Sequence, residues 1–422
     1  MNASSGLTEA ARGLITPSAV ARLRRYAKAF GRTDSLTLQG FLASRIHALC
    51  DNPEAGKLVG HPKYPDIEQN PFLNRGIVLK APRPNGETGI IHLTPEYNWL
   101  RLLAAGSAAD ELTESFTIWL TVSWSPADYH LLGLAASRLR GTLFVSPGNR
   151  LESAKLERFH PKIKCVPVIA SDWIDPSFFQ PKPQNQRQID VLMVANWAPF
   201  KRHWHLFSAL RKLPKNLRVT LIGQSDKQYT LEHVQRQMRE LGVPQDIRFL
   251  QDLSIEEVYA CQCDSRVSVV FSRREGSCVV VAESLFADTP VGLLRGARIG
   301  SAAYINDRTG VFLDRWKTAS QLGRFLDDAE HYQPRSWAIE NISCSQSLTA
   351  VNDIFRSHAC AEGRPWTTDM TAFCWKPNPT YLRSGDREKL LPVYHDLQSR
   401  YPTAFGPAFC PPAVYQSKDV AE

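Results

Sequence analysis

The chain holds 422 residues, with 50 Lys and Arg against 42 Asp and Glu, a net charge of +8. Hydrophobic residues make up 43% and charged residues 22%, ordinary globular usage that excludes a wholly disordered chain; at roughly 150 residues per domain the length suits two or three domains. The start, MNASSGLTEAARG, lacks the basic-then-apolar order of a secretory signal. No uncharged apolar run reaches about 18 residues, so no membrane-spanning helix is expected, and nine scattered cysteines without a framework point to a reducing cytoplasm. The positive charge is uneven. Residues 1–189 carry 22 basic against 16 acidic side chains, the remainder 28 against 26, and residues 1–32 alone six against one.

In chain order, 17–31 (PSAVARLRRYAKAFG) reads as an amphipathic helix with Val20, Leu23 and Ala27 along one face and Arg24, Arg25 and Lys28 elsewhere. A second helix is expected over 36–50, and the Pro- and Gly-rich stretch Asn52 to Pro71 reads as irregular. GIVLK (76–80), GIIHL (89–93), TIWLTVSW (117–124), TLFVS (142–146) and CVPVIA (165–170) read as strands, and 127–140 as a helix. The polar stretch QPKPQNQRQ (180–188) reads as a linker.

Beyond it, strands at 189–195, 217–223, 247–250 and 267–272 alternate with helices at 202–213, 231–241 and 254–263, the last with Ser254 as N-cap. This alternation predicts a parallel, doubly wound sheet. Residues 334–358 read as helical, and the tail after Gly363 is rich in proline and aromatics.

Residues 271–290, FSRREGSCVVVAESLFADTP, are ambiguous. The β-branched run Val279–Val281 suits a hairpin around RREGS. A helix starting near Ser277 would instead leave Glu275 in a loop, set Glu283 about two turns in, and present the Gly276, Ser277 and Cys278 amides at a helix N-terminus, a phosphate-binding arrangement.

The ordered set of a strand, Glu275-Gly276, Glu283 and Ala287-Asp288-Thr289-Pro290-Val291 resembles the family 4 glycosyltransferases of the GT-B fold, whose paired glutamates form an E-x7-E motif. The resemblance spans roughly 189–345 and takes in Ile305-Asn306-Asp307-Arg308-Thr309-Gly310 and Val194-Ala195-Asn196 followed by Lys201. It implies two Rossmann-like domains facing a cleft: an N-terminal acceptor domain over 71–180, preceded by a helical or irregular extension over 1–70, and a C-terminal donor domain over 189–345. The helical tail over 346–422 would pack back on the first domain.

The implied activity is retaining transfer of a sugar from a nucleotide-diphosphate sugar, without metal or other cofactor, to an acceptor that is a small molecule, glycan or lipid-linked compound. By that resemblance Glu275 contacts donor-sugar hydroxyls, Glu283 holds the ribose, and Lys201 neutralises the diphosphate beside the 276–278 amides. The chain departs from the family at Asn196, where an arginine is usual, with Arg202, Arg273 and Arg274 as candidate replacements, and it lacks the family's N-terminal glycine-rich loop.

Bland readings stand beside these. His203 and His205, two apart on a helix, do not share an ion; Cys261 and Cys263 lack zinc spacing; His92, His130, Trp99, Trp119 and Trp124 are expected to pack. The basic helix is expected against the N-terminal domain, with docking on an anionic membrane surface as the second reading. The alternatives to the transferase are a non-catalytic sugar-nucleotide-binding protein of the same fold and, behind it, a nucleic-acid-binding protein; no nucleic-acid motif appears, so nucleic acid is not expected as a partner.

Overall fold

The computed structural model describes residues 3–58, 75–226, 228–376, 378–407 and 409–412. Residues 59–74, which include part of the Asn52–Pro71 stretch and the expected domain start at 71, and the final residues 413–422 lie outside the described residues. Two compact units divide the chain. The first holds residues up to Ala170 together with Leu348–Gln416, and the second is built on Ser171–Ser347. The stretch 180–188, expected as a linker, therefore sits inside the second unit. Arg187 is buried there and donates to the carbonyls of Lys182, Ser265 and Asp288. A polar composition marks a linker only when its side chains stay in water, and this guanidinium does not.

The first unit opens with three helices, α1 (Ala3–Leu14), α2 (Ala19–Arg32) and α3 (Leu36–Cys50). Ser18 and Ser35 cap α2 and α3 by accepting from the amides of Ala21 and Leu38. The following order is β1 (Arg75–Lys80), β2 (Gly89–Thr94), α4 (Trp99–Ala105), α5 (Ser107–Ser115), β3 (Phe116–Thr121), α6 (Tyr129–Arg138), β4 (Leu143–Ser146), α7 (Ser153–Phe159) and β5 (Ile163–Cys165). The sheet runs β1-β2-β3-β4-β5, antiparallel at β1-β2 and parallel elsewhere. The strand expected over 165–170 ends at Cys165; Pro167, just beyond, has no amide to donate to a ladder.

The second unit continues with β6 (Ile189–Val194), α8 (His203–Leu210), β7 (Val219–Gly223), α9 (Leu231–Glu240), β8 (Ile247–Gln251), α10 (Ile255–Cys263), β9 (Ser265–Val270), α11 (Val279–Phe286), β10 (Val291–Leu294), β11 (Gly310–Leu313), α12 (Thr318–Asp327) and α13 (Pro334–Ile342); α14 (Cys344–Ala361) belongs to the first unit from Leu348. Its six strands are in the order β11-β10-β9-β6-β7-β8, all pairs parallel. This is the doubly wound order in which the chain reverses direction between its first strand, β6, and its fourth, β9. Apolar strands such as β6 are buried, as a sheet covered on both faces requires. Ser254 and Glu257 form a reciprocal capping box at α10.

The tail completes the first unit with β12 (Phe373–Trp375), β13 (Pro379–Tyr381) and α15 (Ser384–Arg400). It covers β1, an edge strand. Tyr394 Oη accepts from the Val78 amide at 2.8 Å, and the Thr371 amide donates to Leu79 O at 2.7 Å. A buried ion pair fastens the same segment: Lys80 Nζ lies 2.6 Å from Glu87 Oε1 and 3.4 Å from the centre of the Trp366 ring. Glu87 also accepts from the Thr367 and Thr368 amides at 2.8 and 3.2 Å.

Burial alone would raise the Glu87 carboxyl, but Lys80 and these donors hold it at about 2. Replacing Glu87 by Gln leaves Lys80 buried and unpaired, at a cost of about 3–5 kcal/mol. Because the folded pKa lies below the unfolded 4.5, the stabilisation from this carboxylate is complete above pH 4.5 and lost as pH falls toward 2. Denaturant melts are expected to show E87Q well below wild type at pH 7 and approaching it at acid pH; a constant gap would contradict the pairing.

Candidate active site

The reversal point of the second sheet receives two loops, one after β6 and one after β9. Ligands in doubly wound sheets bind outside the carboxyl ends of the strands at such a point. The first loop carries Asn196, Lys201 and Arg202. Pro199 opens a single 3-10 turn ending at Lys201, and Arg202 takes a left-handed conformation (φ 61°) before α8 starts. The second loop carries Arg273, Arg274 and Glu275.

The β9–β10 ladder resumes beyond the strand ends. Arg274 bridges Arg298, the Glu275 amide donates to Arg298 O at 3.1 Å, and Arg298 N donates to Arg273 O at 2.8 Å. Gly300 N then donates to Gly276 O at 2.7 Å and Ser301 N to Ser277 O at 3.1 Å. With the carbonyls of 273, 276 and 277 used in this way, no acceptor among the described residues meets the amides of Gly276, Ser277 and Cys278.

The ambiguity at Val279–Val281 resolves as helix. Cys278 is left-handed (φ 55°) and α11 begins at the next residue. Val281, Ala282, Leu285 and Phe286 are buried at helical spacing, so tertiary packing overrides the β preference of three consecutive valines. The Ser277 hydroxyl is not available to a ligand in this structure, because it accepts from the Ser171 amide at 2.7 Å.

The structure brings Lys201 and Glu275 together: Nζ lies 2.8 Å from Oε2, and both side chains are largely buried. The Cys278 thiol is buried beside them. Burial first, then the Glu275 carboxylate, pushes its pKa well above the usual thiol value. Glu283, the fifth residue of α11, accepts from Gln262 of α10 at 3.5 Å and from Tyr259. Desolvation raises its carboxyl to about 7. Asn196 does not join this cluster; its Nδ2 reaches Asp226 at 3.4 Å.

Among the expected cationic substitutes, Arg202 and Arg273 lie close, and Arg315, in the loop after β11, stands with them. Burial lowers the Arg202 pKa, and the charges of Arg273 and Arg315 lower it further. No carboxylate pairs with these three among the described residues. Arg315 lies 113 positions from Arg202, so no local sequence signal pointed to it; Gln262, Tyr259 and Asp226 were missed for the same reason.

His203 and His205 are both driven to about 4, by burial and by Lys201 in the first case, by burial with Arg202 and Arg315 in the second. His203 packs on Trp197, and His205 Nε2 lies 2.9 Å from Thr318 Oγ1. Among the described residues no three His, Cys, Asp or Glu side chains are grouped so as to hold a metal ion.

Loops from both sides of the reversal point thus meet at Lys201 and Glu275. Residues 175–333 match the family model of the glycosyl transferases, group 1. Solved structures share the fold. Sucrose-phosphate synthase from Thermosynechococcus elongatus is 17% identical with a TM-score of 0.50, over 64% of this chain and 74% of that one. HepE from Anabaena, solved in complex with UDP, is 14% identical with a TM-score of 0.50, over 64% of this chain and 78% of that one. The architecture is thus that of the GT-B glycosyltransferases. No curated protein matches the chain in sequence.

The Glu283 carboxyl gives a measurable signature. Its folded pKa of about 7 lies above the unfolded 4.5, so the folded chain holds more protons between these values. Stability therefore falls as pH rises through that window. Urea melts of Glu283→Gln are expected to lie progressively above wild type from pH 5 to pH 8; a difference independent of pH would overturn the desolvated-carboxyl assignment.

Proposed function

We propose that the chain is a retaining glycosyltransferase that takes its sugar from a UDP-sugar, without a metal ion. The observation that carries this reading is the Lys201–Glu275 pair beside the unpartnered 276–278 amides, at the sheet's reversal point. The group 1 match over 175–333 and the UDP bound by HepE support the donor class.

In this reading the donor diphosphate takes Glu275's place on Lys201 and accepts from the amides at the α11 N-terminus, where the helix dipole adds to the attraction. Glu275, released, accepts from hydroxyls of the donor sugar, and Glu283 accepts from the ribose hydroxyls. Arg202, Arg273 and Arg315 supply the positive charge that Asn196 does not. As the glycosidic bond stretches, the sugar becomes oxocarbenium-like and the leaving diphosphate gains negative charge. The fixed cation and amides bind that charge more strongly in the transition state than in the ground state, which is what lowers the barrier. The bond from the anomeric carbon to the diphosphate oxygen breaks, the acceptor hydroxyl bonds to the same face, and its proton leaves with the diphosphate.

Thermal melts with UDP-, GDP-, ADP- and dTDP-sugars test the donor. A ligand at 100 times its Kd should stabilise by about 2.7 kcal/mol. UDP-sugars are expected to shift the wild type, and Lys201→Ala to weaken their binding roughly ten- to a hundredfold, the loss of a charge-assisted phosphate contact. Glu275→Gln should bind donor yet lose roughly a hundred- to a thousandfold in turnover, including slow donor hydrolysis. No shift with any nucleotide would overturn the donor site. Binding without turnover would leave a sugar-nucleotide-binding protein, and a product of inverted anomeric configuration by NMR would exclude retention.

A further inference from the structure

The first unit carries an apolar face that no described residue covers, and it lies on α1. Gly6, Glu9, Ala10 and Gly13 are buried and recur at the spacing of one helical face. Leu7, Ala11 and Leu14 recur at the same spacing along another face, with Ile15 next in the chain, and all four are exposed. The fractions are 57% for Leu7, 65% for Leu14 and 83% for Ile15. The helix thus turns its smallest residues inward and its largest apolar ones to water, the reverse of the usual amphipathic order.

Packing and ion pairs fix that orientation. The small residues bring α1 close to α2: a methyl group added at Gly13 would stand 2.4 Å from Tyr26 Cε1, and one added at Gly6 would stand 3.2 Å from Thr33 Cβ. Buried Glu9 pairs with three cations of α2, Lys28 at 2.7 Å, Arg25 at 3.3 Å and Arg32 at 3.4 Å. Rolling α1 to bury Leu14 would drive larger side chains into this contact and break these pairs. The apolar residues of α2, Leu23, Ala27 and Phe30, are themselves buried within the unit. The basic helix read from the sequence therefore supplies charge, and α1 supplies the free apolar face.

The charge beside this face has one sign. From Ala10 to Thr33 the chain has six basic residues and no acidic one. Arg24, Arg25 and Lys28 share one cavity with Glu9, Glu96 and Asp128, which balance them. Arg12 and Arg22 line no part of it. The Arg12 side chain is 59% exposed and 3.9 Å from Glu9, which Lys28 holds more closely. The Arg22 guanidinium donates to the carbonyls of Thr16 and Pro17 at 3.0 and 3.2 Å and meets no carboxylate among the described residues. These two arginines stand on either side of Leu14 and Ile15, one before them in the chain and one bonded to the two residues after them.

We propose that α1 and its turn into α2 form a docking surface for an anionic phospholipid bilayer. Leu7, Leu14 and Ile15 enter the boundary between head groups and acyl chains, with Ala11 between them, and Arg12 and Arg22 reach lipid phosphates over their own aliphatic stems. A second copy of the chain fits the face less well. Four apolar side chains fall far short of the roughly 20–30 residues a side of a stable protein interface, and a two-fold contact would bring like arginines together. A bilayer needs only a few inserted side chains, and its phosphates have the complementary charge. The docking surface owes nothing to the donor chemistry of the second unit.

Co-sedimentation of the full chain with phosphatidylcholine vesicles, with and without phosphatidylglycerol, tests it. Binding is expected to the phosphatidylglycerol vesicles at about 0.1 M salt and to weaken at about 1 M, where the Debye length falls from about 10 Å to about 3 Å. The double substitution Leu14→Ser with Ile15→Ser should weaken that binding about tenfold or more, and Arg12→Gln about fivefold. Leu151→Ser removes an apolar side chain as exposed as Ile15 from the same unit and should leave binding at the wild-type value. All these side chains are exposed, so thermal melts of the variants should match the wild type and report an intact fold. Binding to neither vesicle, equal binding to both, or binding that the double variant keeps in full overturns the proposal. A dimer in analytical ultracentrifugation that the double variant dissolves, without vesicle binding, assigns the face to a second copy instead.

Discussion

The ladder between β9 and β10 runs on past the ends of both strands, at Arg274 and Arg298, and four backbone hydrogen bonds from 298–301 to 273–277 hold the loop that follows β9. Each bond that consumes a carbonyl of this loop turns neighbouring amides the other way. The position of Glu275, the left-handed turn at Cys278, the start of α11 and the open amides of 276–278 all descend from that register. A loop free to move would satisfy its own amides and would not hold them open.

Against this fixed frame the Lys201–Glu275 contact is an exchangeable one. Two largely buried charges are stable together because removing either would strand the other. The pair holds the Lys201 side chain in place. On the proposed reading, entry of a diphosphate exchanges one anion for another at Lys201, which costs less than desolvating a bare cation. The arginines come from loops after three different strands, β6, β9 and β11. Parallel strands deliver such loops to one edge however far apart they lie in the chain.

Much of the second unit was legible in the sequence because its strands and helices alternate with clean apolar periods and because Ser254 carries a complete cap. The glutamates were legible as an ordered set, though Val279–Val281 argued for a strand until packing decided otherwise. The first unit was less so. Helices α4, α5 and α7 went unread: Trp99–Ala105, Ser107–Ser115 and Ser153–Phe159 are short. Arg187 looked like linker polarity and is a buried clamp. The basic run at the N-terminus looked like a surface feature, yet its single acid, Glu9, was the clue that several cations converge on one buried carboxylate. Arg315 had no such clue, since only the strand order brings it to Arg202.

The left-handed turn at Cys278 has a consequence for how the protein ages. It points a thiol inward, against a carboxylate, where the reactive thiolate is disfavoured. Cys360 and Cys410, by contrast, are exposed. Oxidants and alkylating agents therefore meet these two outlying sulfurs before the one at the α11 N-terminus. Chemical wear is thus expected on the first unit's surface before it reaches the sulfur at the α11 N-terminus.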